Sequence, residues 1–351
     1  MVRKVIVTNI SLFLFLAVIA ELIFGNWIWG HDYGMLNIPR NVSRSFDTKG
    51  LYASGGQTHF TRDEHGLRGP YDDVSQIDIL TIGGSTTNQI YIDDRSTWQS
   101  VLRNRFNETT REVTIVNAAV DGQSTRGHLK IFDEWFPNIP NLKAKYILAY
   151  VGINDVAVDG AAQYDSMINK DVARRIRHWI SNNSALYNFY RTLRGMIAAQ
   201  NSDLVHGSGS PFDNSKWVRL QSVDDPTIIE QKRIPDLNSY RRRLEALVEQ
   251  IRVFGAEPIL VTQPTAEFRI RNASVWIPES TDGGPFLGGY LTISQFNEVT
   301  LDVCRELGGV CIDLAHSVEF TDGDFYDRIH NTPKGTKKIG RYLFNQVSEL
   351  F

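Results

Sequence analysis

Five short apolar runs rich in β-branched residues recur along the chain, at Ile77 to Ile82, Val113 to Val120, Tyr146 to Val151, Pro258 to Thr262 and Val310 to Leu314. Each has the length and composition of a strand buried on both faces, and helix-like segments separate most of them. Strand and helix alternating in this way require crossover connections, and therefore a parallel sheet covered by helices on both sides. One such helix is legible in detail: from Leu237 to Phe254, Tyr240, Leu244, Leu247, Val248, Ile251 and Phe254 recur at helical spacing with arginines opposite, the pattern of a helix laid on a core.

Between Asp155 and Pro235 the alternation breaks for longer than a crossover or loop allows. An Arg-rich amphipathic stretch from Lys170 to Gln200 is followed there by a Gly/Ser/Asp/Asn-rich stretch from Asn201 to Asn214. We read 156–235 as a helical insertion over the sheet, either a lid or substrate-binding piece or a structural elaboration. Residues 31–76 have no sustained periodicity and read as a linker and covering segment, with Arg62 to Pro70 a loop laid against the domain and His59 and His65 surface residues. The expected organisation is 1–30 as a membrane anchor or signal segment, 31–76 as linker and cover, and 77–351 as the α/β domain carrying the insertion.

A net charge of -3 over 351 residues leaves no basic excess to hold a phosphate backbone, which sets nucleic acid aside as a partner. Two cysteines, Cys304 and Cys311, are too few for a disulfide scaffold or a thiolate metal site. Their spacing across Gly308-Gly309 permits a local disulfide in an oxidising compartment; the expectation is two buried thiols.

Arg3 and Lys4 precede an apolar run from Val5 to about Phe24, roughly the ~20 residues that cross a bilayer core as a helix. Trp27 and Trp29 follow where an interfacial aromatic belt would sit, and the basic pair on the cytoplasmic side sends everything after Gly30 out of the cytoplasm. Val18-Ile19-Ala20 has the form of a signal-peptide cleavage site, but Leu22, Ile23, Phe24, Trp27 and Ile28 carry the apolar character past it. An uncleaved anchor is therefore the reading taken. Glu21 opposes a lipid-exposed span and needs an interfacial position or a partner.

The chemistry-bearing residues gather at strand ends. Ile77 to Ile82 stops at Gly83-Gly84 and then presents Ser85; the second run is followed by Asp121-Gly122, and the third by Gly152-Ile153-Asn154-Asp155. In a parallel sheet these ends share one edge, so Ser85 would have beside it a glycine N–H free of any Cβ and an uncharged side-chain amide. A hydroxyl with two such donors is equipped to attack an acyl carbon and hold the oxyanion that forms. The serine needs a base, most often a histidine oriented by a carboxylate. Two Asp-x-x-His arrangements are available. Asp313 to His316 begins inside the fifth run, which favours a structural role for Asp313; Asp327 to His330 lies in a loop just before Thr332 and Pro333, which can cap and start a helix. The later pair is the better placed.

The ordered set Gly83-Gly84-Ser85-Thr86-Thr87, Gly122, Gly152-Ile153-Asn154-Asp155 and Asp327-Arg328-Ile329-His330, followed by Gly335, resembles the four sequence blocks of the SGNH (GDSL-type) hydrolase superfamily over roughly Ile77 to Phe351. The resemblance implies Ser85 as nucleophile, His330 as general base and Asp327 as its orienting partner. It implies an oxyanion hole of the Ser85 and Gly122 N–H groups with the Asn154 side chain. It also implies a flavodoxin-like three-layer α/β/α fold on a central five-stranded parallel sheet. Gly84 stands where the name-giving motif has aspartate, a variation common in membrane-anchored members. The anchor and the His65 to Pro70 segment resemble bacterial exported members associated with cell-surface polysaccharides.

Together these readings give a membrane-anchored, extracytoplasmic serine esterase, periplasmic or at the cell surface. It would remove an O-acyl group, for instance O-acetyl, from a small molecule or a surface glycan without metal or cofactor. Trp179, Trp217 and Trp276 can stack on sugars or simply pack. Acyl transfer to a sugar by the same residues, and a non-catalytic glycan-binding protein on the same fold, are the alternatives.

Overall fold

In the computed structural model, residues 2–25, 27–28, 36, 38–109, 111–157, 172, 176, 179–180, 183–187, 189–190, 212–220, 227–279 and 287–351 are described. Trp29 and most of the insertion, including nearly all of Asn201 to Asn214, lie outside them.

The elements in order are α1 (Val2–Phe24), β1 (Val42–Asp47), β2 (Gln57–Arg62), β3 (Ile77–Gly83), a single turn α2 (Ser85–Asn88), α3 (Trp98–Asn107), β4 (Ile115–Asn117), α4 (Thr125–Glu134) and β5 (Ala144–Tyr150). Then follow β6 (Trp217–Arg219), α5 (Thr227–Phe254), β7 (Glu257–Val261), β8 (Arg269–Arg271), β9 (Ser274–Pro278), α6 (Gly288–Leu307), β10 (Val310–Ile312), α7 (Leu314–Ser317) and α8 (Pro333–Val347).

Each of the five apolar runs supplies one strand of a single parallel sheet, in the order β10-β7-β5-β3-β4. Numbered by their place in the sequence, the five run 2-1-3-4-5 from the β4 edge, which is the flavodoxin-like arrangement. The two-residue period of a strand sends alternate side chains into two cores. Leu80, Ile82, Ile147, Ala149 and Leu260 meet α4, α5 and α6 through Ile131, Tyr240, Leu244, Leu247, Phe296 and Val303. Ile79, Leu148, Tyr150, Ile259 and Val261 meet α3 and α8 through Trp98, Leu102, Phe106, Ile339 and Leu343. The fold is thus a three-layer α/β/α sandwich. Every residue of β3 is buried, so its backbone is held from both sides up to the point where Gly83 ends it.

Two strands are shorter than the sequence suggests. After Asn117 its own side chain accepts the Ala119 N–H at 2.8 Å and turns the chain, although Ala118 and Val120 still donate to Thr81 O and Gly83 O. At β10, Asp313 leaves the strand to accept from the His316 N–H and start α7.

The structure adds detail to two expectations and corrects a third. Within 31–76 the structure forms an antiparallel hairpin, β1 with β2, whose second strand buries every other residue. The insertion contributes a strand as well as helix, since β6 joins β9 and β8 in a small antiparallel sheet. Cys304 and Cys311 are joined in a disulfide, with Cα atoms 5.7 Å apart, instead of remaining two thiols. The cause is the turn: α6 ends at Gly308, whose φ of 72° suits the left-handed conformation that glycine adopts freely, and the chain folds straight back into β10.

At the N-terminus, α1 contains an apolar stretch, Lys4–Phe24, long enough to cross a membrane, and none of it is buried against the rest of the chain.

Candidate active site

β3 and β5 are hydrogen-bonded neighbours although β4 lies between them in sequence. The crossovers therefore leave β3 in opposite directions and open a crevice beyond its carboxyl end, the place where open α/β sheets receive ligands. Ser85 sits at that end. As the first residue of α2 it has no intrahelical acceptor for its N–H, while Thr87 and Asn88 donate to Gly84 O and Gln89 donates to Ser85 O.

Across the crevice, His330 Nε2 lies 2.7 Å from Ser85 Oγ. On the other side of the ring, Nδ1 is 2.7 Å from Asp327 Oδ2. Asp327 Oδ1 also accepts the N–H groups of Ile329 at 2.9 Å and His330 at 2.7 Å, so the carboxylate is fixed before it meets the imidazole. Burial alone would raise its pKa, but the hydrogen bond and charge attraction to His330, with the two backbone donors, hold it below the ordinary carboxylate range. The Tyr326 ring stacks on His330 with centroids 5.5 Å apart and planes 9° from parallel, which restricts rotation of the imidazole.

The loop carrying this pair is held at both ends. Tyr326 N–H donates to His330 O, and Thr332 N–H to Asp324 O, closing it into a narrow turn. The buried Asp324 side chain accepts from Thr321 N at 2.6 Å and from Lys338 Nζ at 2.6 Å. Thr332 caps α8 and Pro333 occupies its first turn, as the sequence indicates. From the neighbouring strand end, Ala266 N–H donates to Arg328 O at 2.8 Å.

The second and third strand ends meet the first beside Ser85. Gly122 has φ 72°, and the Gln123 N–H to Val120 O bond closes the turn around it. Asn154 Nδ2 donates to Gln123 O at 2.9 Å. A Cβ added at Gly84 would stand 2.1 Å from that same Nδ2 and 3.3 Å from Gln123 O. Glycine at 84 is therefore a spatial requirement: the volume an aspartate side chain would take is filled by the Asn154 amide. Asp155, 1% exposed, accepts from Thr125 N–H and from Arg243 Nη2 at 3.1 Å, locking the Asn154 turn to the start of α4.

The other dyad is real but apart from Ser85. His316 Nδ1 is 3.2 Å from Asp313, whose carboxylate also accepts from Thr262 Oγ1 at 2.9 Å and caps α7. Trp217 has one face covered by the Arg269 guanidinium, 3.9 Å from the ring centroid, so packing accounts for it. Trp179 lies against Trp27 at 5.0 Å.

Sequence reading misses three supports of the site. Gln263, 1% exposed, donates to Thr86 Oγ1 at 2.9 Å and Tyr150 O at 3.1 Å and accepts from Ile153 N–H at 2.6 Å, tying the ends of β3, β5 and β7 together. Arg62 and Arg68, both 3% exposed, reach in from the hairpin segment. Arg62 donates to Asn88 Oδ1 at 2.7 Å and to Ala119 O. Arg68 donates to Asn88 O, Gln89 O, Ile92 O and Asp94. Burial lowers both guanidinium pKa values, that of Arg62 to about 10, so Arg62 stays charged at neutral pH. The only sequence signal for them is arginine next to turn residues.

A family model, GDSL-like lipase/acylhydrolase, matches residues 81–338. Among solved structures the chain is similar to TesA, at 14% identity over 78% of this chain and 99% of that one, with a TM-score of 0.40. It is similar to the psychrotrophic esterase EstA from Pseudoalteromonas sp. inhibited by monoethylphosphonate, at 12% identity over 78% and 97%, with a TM-score of 0.41. A catalytic mutant of the acetylxylan esterase Axe2 from Geobacillus stearothermophilus is similar at 12% identity over 77% and 94%, with a TM-score of 0.42. No curated protein sequence matches the chain.

Proposed function

Because this chain belongs to the GDSL-like lipase/acylhydrolase family and is an ester-hydrolysing enzyme, we propose that it is an exported serine esterase that removes an O-acyl group from a carbohydrate through Ser85, His330 and Asp327. The observation that carries this reading is the unbroken relay from Ser85 Oγ through the His330 ring to the doubly anchored Asp327 carboxylate, with 2.7 Å at each junction.

Ser85 Oγ attacks the acyl carbon as His330 Nε2 takes its proton, and Asp327 holds the Nδ1–H tautomer and stabilises the imidazolium. The tetrahedral oxyanion is bound by the Ser85 and Gly122 N–H groups and by Asn154. An amide nitrogen carries two hydrogens; the bond to Gln123 O uses one and aims the other. Collapse expels the alcohol, which takes the proton from His330 Nε2. Water then loses a proton to the same nitrogen and attacks the Ser85 ester; the acyl carbon–Oγ bond breaks, Ser85 Oγ takes the proton back from His330 Nε2, and the acid is released.

Export is supported by the basic pair at the start of the apolar, unburied α1 and by the Cys304–Cys311 disulfide, which suits an oxidising compartment. We therefore divide the chain into an anchor at 1–30, a covering segment at 31–76 and a catalytic domain at 77–351 with its insertion at 156–235, the domain lying outside the cytoplasm. The carbohydrate substrate rests on the resemblance to exported members alone.

The test is acetate release by purified full-length protein from p-nitrophenyl acetate and from an O-acetylated oligosaccharide. Release from both, with the higher kcat/KM on the oligosaccharide, supports the reading. Acetate recovered on an added unacylated acceptor would identify transfer, and turnover of neither substrate overturns it.

A further inference from the structure

Glu21, which a lipid-spanning helix should not tolerate alone, is fully engaged. Its carboxylate accepts from Ser184 Oγ at 2.5 Å, Ala185 N–H at 3.0 Å, Leu186 N–H at 3.1 Å and Trp27 Nε1 at 2.6 Å. Three of these donors belong to the insertion and two are backbone N–H groups at the start of a helical stretch, where an anion is favoured. Gly25 allows the approach, since a Cβ there would stand 2.7 Å from Asn183 O, and Trp27 packs edge-on against Trp179. The end of α1 is thus fastened to the insertion by a fully hydrogen-bonded carboxylate and a ring pair.

Large exposed hydrophobic side chains among the described residues are distributed unevenly. Apart from Val253 and Leu307, they fall on α1 with Ile28, or on Val172, Ile176, Trp179, Ile180, Leu186, Phe189 and Tyr190 of the insertion. Val172, Ile176, Trp179 and Ile180 are helical and spaced i, i+4, i+7 and i+8, one face of a helix. Aromatic side chains of this kind settle at the headgroup level. The surrounding sequence adds Lys170, Arg174, Arg175, Arg177, Arg191 and Arg194, a charge that suits anionic lipid headgroups.

We propose that the insertion face bearing Val172, Ile176, Trp179, Ile180, Phe189 and Tyr190 is a second membrane contact, lying in the interfacial layer of the bilayer that α1 crosses and locked to α1 through Glu21. The occupant of this apolar face is lipid because the face continues, through Glu21 and Trp27, from the one helix among the described residues that is long and apolar enough to cross a membrane, no part of which is buried. The catalytic domain would then be held at a fixed height and orientation at the membrane, and would not swing on a free tether. The proposal rests on α1 being an anchor.

Full-length Ile176→Cys, Phe189→Cys, Phe13→Cys and Val253→Cys variants carrying a nitroxide label, in vesicles of phosphatidylethanolamine and phosphatidylglycerol, test it by collision with oxygen and with a water-soluble nickel chelate. Labels at 176 and 189 should show an oxygen-to-nickel accessibility ratio several-fold above that at 253, approaching that at 13. Adding Glu21→Ala should return 176 and 189 to the value at 253 while 13 stays in lipid. Water-like values at 176 and 189 with 13 in lipid would overturn the second contact alone, and a water-like value at 13 as well would remove the anchor. Low access to both collision partners, with spin–spin broadening, would mean that a second copy covers the face and would also overturn the proposal.

Discussion

His330 Nε2 lies 2.7 Å from Ser85 Oγ across 245 positions of sequence. The contact exists because a buried parallel strand delivers one residue and a loop stapled to a capped helix delivers the other. If it is catalytic, Ser85→Ala and His330→Ala should each lower kcat by on the order of 10⁴-fold or more with melting unchanged. His316→Ala should keep near-normal turnover, because Asp313 and His316 form their own ion pair on α7. A dead His316→Ala enzyme with an active His330→Ala enzyme would reverse the assignment.

Gly84→Ala introduces a Cβ 2.1 Å from Asn154 Nδ2. The asparagine must move, so kcat should fall about 10- to 100-fold while KM changes little. Asn154→Ala should cost on the order of 100-fold, the usual loss of one oxyanion donor. Steady-state kinetics on a short acyl ester reads both, and full activity in either variant removes Asn154 from the site.

Arg68 should be worth more to stability than a surface arginine. It is 3% exposed and paired with Asp94 at 2.7 Å, and its loss takes the cation from that carboxylate, leaving it the Thr61 donors, and removes a donor from three carbonyls of the turn after Ser85. Arg68→Ala is expected to cost about 3 kcal/mol, the low end for a broken buried pair because Asp94 keeps about a quarter of its surface exposed. Urea unfolding at neutral pH measures it; a loss under 1 kcal/mol would make the arginine dispensable.

The His316–Asp313 pair sets a pH dependence of stability. The hydrogen bond to Asp313, opposed by burial, raises the His316 pKa above its ordinary 6.5. A raised folded-state pKa gives stability that is complete below the unfolded value and is lost as pH rises through the folded one. The difference in melting temperature between the natural protein and His316→Gln should therefore be largest at pH 6 and shrink by pH 9. Parallel curves would contradict it.

The disulfide closes a loop between positions seven apart. In the chain-entropy account a loop of that size is worth about 2.5 kcal/mol. The paired Cys304→Ser, Cys311→Ser variant should lose about that much in urea, and the natural protein should resist alkylation until reduced. Two alkylated thiols without reductant would restore the reading of free cysteines.

What was legible in the sequence was whatever depends on local pattern. β-branched runs specified five parallel strands, helical spacing specified α5, and Thr332-Pro333 specified the start of α8. The strand-end residues Ser85, Gly122 and Asn154 could be placed on one edge because parallel topology leaves no other choice. The rest depends on contacts between distant parts of the chain. Arg62 and Arg68 read as loop residues until the hairpin is seen to aim them at Asn88 and Gln89, and Gln263 is an unremarkable polar residue after a strand until Thr86, Tyr150 and Ile153 surround it. The β1–β2 hairpin escaped for a different reason, since its alternation of exposed polar and buried residues includes Thr58 and Arg62 on the inner face.

The most direct test of the central claim is covalent labelling of full-length protein with a p-nitrophenyl phosphonate, followed by peptide mass spectrometry. One adduct, on the peptide bearing Ser85, absent in Ser85→Ala and much slower to form in His330→Ala, is the predicted result. An adduct on another serine, or labelling of the His330→Ala protein at the natural rate, would contradict it.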